Sequence, residues 1–302
     1  MKTNHITVLL NEAVEGLNIK PGNWYVDATF GGGGHTDLIL KNGGKVIAFD
    51  FDQNAIEMGR ERFKREIDSE KLILVEENFT KLKEELNKIK SLHNIKKIDG
   101  VLFDFGTSTD QLMNEKRGFS FSGEGELDMR MDQNLGVKAK DLLALLSEKQ
   151  LTETFFQLGG ETEAKKIAKA IVANRKQGLM INTNQDLATL IEKVKRSRNR
   201  THPATKVFQA LRIVVNDELN NILDSLPQAL EIVESGSRIV AISFHEGEDR
   251  IVKSTFKNWQ ETNQGTLVTN KPITPSDEAI KENPRCRSAK MRIFTRKGIN
   301  EK

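Results

Sequence analysis

The sequence predicts an α/β protein: a Rossmann-like, mostly parallel sheet with an all-helical domain inserted into it. Three observations carry this. Residues 24–52 (WYVDATFGGGGHTDLILKNGGKVIAFDFD) read as buried strand, glycine-rich turn, short helix and second apolar strand ending in an acid. Two more short apolar runs follow, at 71–75 and 98–104, in the rhythm of βαβ units. From Thr109 to about Lys195 that rhythm stops and only helical patterns remain.

Taken in order, residues 5–18 place Val8, Leu9, Ala13, Val14 and Leu17 near helical spacing and predict a leading helix. The first strand covers 24–28, the turn 31–34, and the second strand 45–49 with Asp50 at its end. The third strand, 71–75, runs out near Glu76, Asn78 and Phe79, and a charged helix fills 80–92. The fourth strand, 98–104, carries Asp104 at its carboxyl end. Residues 109–135 are loop-like, with Gly118, Gly123 and Gly125. Helical patterns follow at 138–157, 161–176 and 184–195. In the middle one, Ile167, Ala170, Ile171 and Ala173 form the apolar stripe.

The α/β pattern is expected to resume at Thr205. Residues 205–231 form one or two helices with Val207, Leu211, Val214, Val215, Leu219, Ile222, Leu223 and Leu226 as the core face. A strand at 237–244, a helix at 248–259 and a last strand at 290–295 complete the chain. The expected division is therefore a sheet domain of residues 1–108 and 205–302, with residues 109–204 as the helical insertion.

Composition narrows the class. The chain of 302 residues has a single cysteine, Cys286, which excludes an internal disulfide, and its five histidines do not fall at metal-ligand spacing. No apolar run reaches a membrane span, and the apolar stretch of MKTNHITVLL is too short for a secretory signal, so a cytoplasmic protein is expected. The net charge of +3 says little, but its patchiness says more. Residues 193–206 hold Lys193, Lys195, Arg196, Arg198, Arg200 and Lys206 without an acid. Residues 285–297 hold Arg285, Arg287, Lys290, Arg292, Arg296 and Lys297, again without one. In a chain with 43 acids, two such runs point to an RNA-phosphate surface rather than ordinary solvated faces.

The glycine loop bears on the cofactor. Dinucleotide sites use G-x-G-x-x-G, but here Gly31 and Gly33 are followed by Thr36, so the third position fails. Asp27, just before the loop, would repel a pyrophosphate and suits a cofactor with a cationic amino-acid tail, S-adenosylmethionine. Asp50 is placed to accept hydrogen bonds from ribose hydroxyls. Ligands of open α/β sheets sit at the carboxyl ends of the strands, which here are Gly31 to His35, Asp50, Phe79, Asp104 and His245. Phe79 is a candidate for an adenine face or a core ring. His35 is a ligand contact or a helix-opening residue, and His245 a base or a loop hydrogen-bonding group. Methyltransferases of exocyclic amines often carry an acid or Asn followed by Pro-Pro-Tyr after the fourth strand. Asp104-Phe105-Gly106-Thr107 keeps the acid as an acceptor near the amine but lacks the aromatic clamp.

Nine pieces spanning nearly the whole chain resemble the bacterial small-subunit ribosomal RNA methyltransferase H (MraW) family. They are HITVLLNEAV (5–14), DATFGGGGHT (27–36), AFDFD (48–52), DGVLFDFGTSTDQL (99–112), RGFSF (117–121), LDMRMD (127–132), HPATKVFQALRIVVN (202–216), SFHEGEDRIVK (243–253) and NPRCRSAKMR (283–292). LDMRMD and HPAT…FQALRI are the pieces specific to that family. The resemblance implies a class I S-adenosylmethionine-dependent methyltransferase that methylates N4 of cytosine 1402 in 16S rRNA, in the decoding region of the small subunit. It implies cofactor contacts at Gly33, Gly34, His35, Asp50, Phe79, Asp104 and Gln111, with Asp104 as the candidate catalytic group. Lys195, Arg196, Arg198, Arg200, Arg285 and Arg287 are the candidate RNA contacts, and a homodimer is left open.

Three departures affect expected substrate contacts. The family's G-V-S-S is Gly106-Thr107-Ser108-Thr109 here, and its S-F-H-S-L-E-D-R has Glu246 and Gly247 in the middle. Leu158-Gly159-Gly160 stands where an aromatic-Gly-Glu is usual. Two other classes remain as alternatives: an NAD-dependent oxidoreductase, and a non-catalytic RNA-binding assembly factor on the same fold.

Overall fold

The computed structural model describes residues 6–106, 118–121, 125–195 and 202–298. The chain divides into two units, residues 1–106 with 219–302, and residues 107–218.

The first unit is built on apolar runs that cannot face water on either side. Strands β1 (Trp24–Asp27), β2 (Lys45–Asp50), β3 (Leu72–Glu76), β4 (Ile98–Asp104), β5 (Val233–Ser243), β6 (Gly265–Leu267) and β7 (Lys290–Arg296) form one sheet, ordered β3-β2-β1-β4-β5-β7-β6. The first five strands are parallel, and β7 runs antiparallel to both β5 and β6. Because side chains alternate across a strand, each apolar run supplies both faces. Val26, Ile47, Phe49, Val101, Phe103, Ile239 and Ala241 pack on Leu82, Leu86, Val252, Phe256 and Trp259. Tyr25, Val46, Ala48, Leu102, Val240 and Ile242 pack on Leu9, Ala13, Val14, Leu17 and Ile39. Among the described residues the helices are α1 (Leu10–Leu17), α2 (Gly34–Lys41), α3 (Gln53–Arg62), the short α4 (Lys64–Asp68), α5 (Leu82–Leu92) and three more at Glu218–Ile232, Glu246–Glu261 and Asp277–Glu282. Strand order reverses at β1, which has β2 on one side and β4 on the other, and such a switch point opens a crevice at the carboxyl edge.

Several elements differ from expectation. The leading helix is Leu10–Leu17, shorter than 5–18, because Leu9 before it takes a left-handed φ of 51°. Helix α3 was not visible in the sequence: it is polar, with only Ile56 and Gly59 buried. β6 has three residues, too few to show a period, and β5 begins at Val233 rather than 237.

The second unit is helical: Ala139–Leu145, Glu148–Gln157, Ala164–Lys176, Asn184–Val194 and Thr205–Val215. Its buried side chains include Leu143, Leu151, Phe155, Ile167, Ile171, Leu187, Ile191, Val207 and Leu211. The predicted helix over 138–157 is two helices, because Ser147 starts a capping box with Gln150. In Ala164–Lys176 the buried stripe is Ala164, Ile167, Ala168 and Ile171, while Ala173 is exposed. The expected boundary at 204/205 is corrected to 218/219. Thr205–Val215 packs with the helices at 139–145 and 148–157, so the α/β pattern resumes only at Leu219.

The two family-specific motifs meet inside this unit. Asn216, which ends HPATKVFQALRIVVN, accepts from the Met131 N–H at 2.6 Å and donates to the Met129 carbonyl at 2.8 Å. That clamps LDMRMD, where Met129 has a φ of 64° and the Arg130 guanidinium is held by Asp128 at 2.7 and 2.9 Å. Among the described residues, no helix is long and apolar enough to cross a membrane.

Candidate active site

Strand β1 ends at Asp27, which is fully buried. One carboxylate oxygen accepts from the Thr36 hydroxyl at 2.7 Å and the other from the Thr29 N–H at 3.2 Å. Burial pushes this carboxyl up to about 6 despite those bonds. Asp27 thus fastens the start of α2 to the end of β1. At 0% exposure it offers no surface for a ligand to touch, which corrects the reading of it as a direct partner for a cationic tail.

The glycine loop is constrained by its neighbours in the fold. Gly33 has a φ of 72°, and a Cβ there would lie 2.8 Å from the rings of Phe30 and Phe63. A Cβ on Gly34 would come within 2.0 Å of Thr7 Oγ1. The Gly31 N–H donates to Asp50 at 2.8 Å, and the other Asp50 oxygen accepts from the Asp52 N–H at 2.8 Å. Burial pushes Asp50 up to about 6 as well. Asp50 therefore shapes the loop from the end of β2 and keeps lone pairs for a further donor.

Asp104 ends β4, and its N–H donates to the Thr29 hydroxyl at 2.7 Å. Its Oδ2 lies 3.8 Å from Nδ1 of His35, a buried residue in the first turn of α2. Its Oδ1 is covered and has no hydrogen-bond partner among the described residues. Burial first, then the charges of Asp27 and Glu248, raise the Asp104 carboxyl well above the usual carboxylate range. An acceptor in this state favours a ligand that brings a donor.

Phe79 opens the turn after β3, where Asn78 accepts from the Thr80 N–H at 2.9 Å. Its half-buried ring packs against Phe103 and Phe105, each 6.0 Å away between centroids. Gly33, Gly34, His35, Asp50, Phe79 and Asp104 thus gather at the carboxyl ends of β1 to β4. Gln111, Thr107 and Thr109 lie outside the described residues.

His245 is a helix cap rather than a positioned base. Its Nδ1 accepts from the N–H groups of Gly247 at 3.1 Å and Glu248 at 3.4 Å, and the Glu248 carboxylate accepts from the N–H groups of Phe244 and His245 at 2.6 and 3.2 Å. The sequence signal was there to be read: Glu three residues after the cap is the capping-box spacing. The departures fit locally too. Glu246 pairs with Lys290 at 2.9 Å, and Gly160 has a φ of 60°, a backbone conformation that suits glycine better than the usual Glu.

Among the described residues, several cations of the two basic runs are consumed by the fold. Lys195 Nζ sits 2.7 Å from Glu161, which is fully buried, so this lysine anchors the helical unit and leaves the phosphate-contact set. Arg196, Arg198 and Arg200 lie outside the described residues. In 285–297, Arg292 is paired with Asp249, Lys290 with Glu246 and Asp249, Lys297 with Asn263, and Arg296 donates to the backbone carbonyl of Glu231. Arg285 and Arg287 stand on the exposed 3-10 turn Pro284–Ser288.

An acid closing the fourth strand beside a glycine loop, on a sheet whose one antiparallel strand lies between β5 and β6, defines a Rossmann-like class I methyltransferase. The chain belongs to the MraW methylase family, whose model matches residues 2–297. Similar solved structures include an rRNA methylase from Streptococcus thermophilus, 11% identical, covering 97% of this chain and 99% of that one with a TM-score of 0.46. A SAM-dependent O-methyltransferase from Thermotoga maritima is 9% identical, covering 100% and 70% with a TM-score of 0.43. TrmN from Thermus thermophilus is 10% identical, covering 95% and 48% with a TM-score of 0.43. The cofactor is S-adenosylmethionine, and the oxidoreductase alternative is set aside. The site fits it: Asp104 offers a covered acceptor to an ammonium or amine, and Asp50 retains lone pairs for ribose hydroxyls.

Proposed function

We propose that this methyltransferase modifies N4 of cytosine 1402 in 16S rRNA within the small ribosomal subunit, in the cytoplasm. The observation that carries the reading is Asp104 Oδ1, a covered acceptor at the edge of β4. The lone pair of an exocyclic amine is delocalised into its ring, and an acceptor for one N–H draws it back onto nitrogen. When bound, S-adenosylmethionine supplies an already electrophilic methyl group. The protein's task is then alignment and proton acceptance, with the base held out of its stack. In this reading Gly33, Gly34 and His35 form the cofactor wall, Asp50 holds the ribose, Phe79 lies against the adenine, and Asp104 receives the amine proton. Family resemblance adds Gln111 to that set. Label transfer from tritiated S-adenosylmethionine to small subunits, followed by nucleoside analysis, tests it. Label in N4-methylcytidine is expected. Label in another nucleoside would displace the reading, and none at all would favour a non-catalytic assembly factor.

Asp50→Ala is expected to weaken S-adenosylmethionine binding by about 1–3 kcal/mol, the scale of hydrogen bonds to a charged group. Calorimetry showing unchanged affinity in a folded variant would remove Asp50 from the site.

Arg196, Arg198, Arg200, Arg285 and Arg287 are the proposed phosphate contacts. Replacing the first three by Ala, with Lys195 left in place to hold Glu161, is expected to weaken subunit binding and leave cofactor affinity alone. Each lost contact should flatten the salt slope by roughly 0.7–0.9. Superimposable salt titrations of wild type and triple variant would assign the run to solvated surface.

A further inference from the structure

Within the helical unit, RGFSF ends at Phe121 and HPATKVFQALRIVVN begins at His202, and these two residues lie face to face. Their ring centroids are 4.6 Å apart and their planes differ by 5°. Phe208, 5% exposed, meets Phe121 edge-on at 4.8 Å and 73°, which ties the pair to the buried side chains of the unit. The backbone beside each ring is fixed as well. The Ser120 carbonyl accepts from the amide of the fully buried Asn184 at 2.7 Å. The His202 carbonyl accepts from the N–H and the hydroxyl of Thr205 at 3.1 and 2.8 Å.

The imidazole is also pinned at its edge. Nδ1 accepts from the Ala204 N–H at 3.2 Å, which leaves the ring proton on Nε2, 3.1 Å from the Glu192 carboxylate. Phe121 covers one face of the ring and both nitrogens are engaged, yet 32% of the side chain stays exposed. A ring stacked on one side and held at its edge presents its other face. The surroundings select what that face can take. Glu192, with half its side chain exposed, stands beside the ring and disfavours a phosphate there. A nucleobase is flat and neutral, and every base has a π-face that stacks on an aromatic side chain. In the sequence, Arg196, Arg198 and Arg200, the proposed phosphate contacts, precede His202 by two to six positions.

We propose that His202 is a stacking platform for an unpaired nucleobase of the substrate RNA, with the imidazole sandwiched between that base and Phe121. The proposal rests on the rRNA-methylation reading and adds to it a contact made to a base rather than to phosphate. Stacking releases no counterion, and this separates the platform from the arginines.

Co-sedimentation of the full chain with small ribosomal subunits at several salt concentrations tests it. His202→Asn keeps an acceptor for the Ala204 N–H and removes the ring. It is expected to weaken subunit binding by roughly 10–100-fold, with the salt slope and the affinity for S-adenosylhomocysteine unchanged. His202→Phe keeps a flat face and removes both nitrogens, and it is expected to bind as wild type does. A purely local role for His202 gives the reverse order, because Asn preserves the hydrogen bond that Phe loses. Should His202→Asn not fold, His202→Leu, which has apolar bulk but no ring, takes its place against His202→Phe. A ringless variant that binds like wild type, a folded His202→Phe that loses binding, or a salt slope that flattens on losing the ring would each overturn the proposal. Wild-type protein that fails to sediment with subunits would overturn the RNA reading and the proposal with it.

Discussion

Asp104→Asn is expected to lower methyl transfer by roughly 10²–10⁴-fold, the range of a lost general base, in a protein that stays folded. The substitution keeps the size of the side chain and its place at the end of β4, where the backbone N–H is tied to Thr29 at 2.7 Å. It removes the negative charge and the ability to take up a proton. Two roles can be separated by the same variant. An acceptor for the amine proton affects kcat, and a holder of the cofactor's ammonium affects cofactor affinity. A pH series adds a second reading. Burial and the charges of Asp27 and Glu248 raise the Asp104 carboxyl. Only the ionised form accepts a proton, so the single-turnover rate should climb as pH rises through that raised value and level off above it. The Asn variant should lose this limb. Near-wild-type turnover together with unchanged cofactor affinity in Asp104→Asn would exclude both roles.

The cofactor half of this site was legible because a doubly covered parallel strand is apolar throughout, so an acid at its end stands out. Asp27, Asp50 and Asp104 are three such acids, and all three proved to lie at the carboxyl edge. Their separate tasks were not legible. Asp27 looked like Asp50 in the sequence, yet Asp27 is fully covered while Asp50 is partly exposed, and that depends on how α2 folds back over β1 with Thr36 bonded to Asp27. The need for glycine at position 34 was invisible for a related reason: it is set by Thr7, 27 positions earlier. The domain boundary was missed because Thr205–Val215 has an ordinary amphipathic pattern, which does not reveal which core its apolar face joins. Charge runs mislead most. A run without acids reads as a free cationic face only if no acid arrives from elsewhere, and Glu161, Glu246 and Asp249 all do.

Arg292→Met should therefore act on stability rather than on RNA, destabilising the fold by about 3–5 kcal/mol. Arg292 lies on β7 opposite Ala241 of β5, and β7 presents it to the helix Glu246–Glu261 that carries Asp249. Both residues are buried, at 7% and 4% exposure, with Nε 2.7 Å from Oδ1 and Nη2 3.1 Å from Oδ2. Burial alone would raise the Asp249 carboxyl. The hydrogen bonds and charge of Arg292, helped by Lys290 at 3.5 Å, outweigh it and hold the group below the usual carboxylate range. Met keeps the stem and removes the charge, leaving a buried carboxylate with Lys290 alone. A depressed folded value contributes stability above the unfolded value and loses it as pH falls through the folded one. The variant forgoes that contribution, so its deficit against wild type should be largest near neutrality and shrink in acid as Asp249 protonates. Denaturant unfolding at several pH values measures this. Adding Asp249→Leu should recover much of the loss, because replacing both partners removes the stranded charge. A phosphate-binding Arg292 would give the opposite pattern: unfolding unchanged at every pH, with weaker subunit binding and a flatter salt slope.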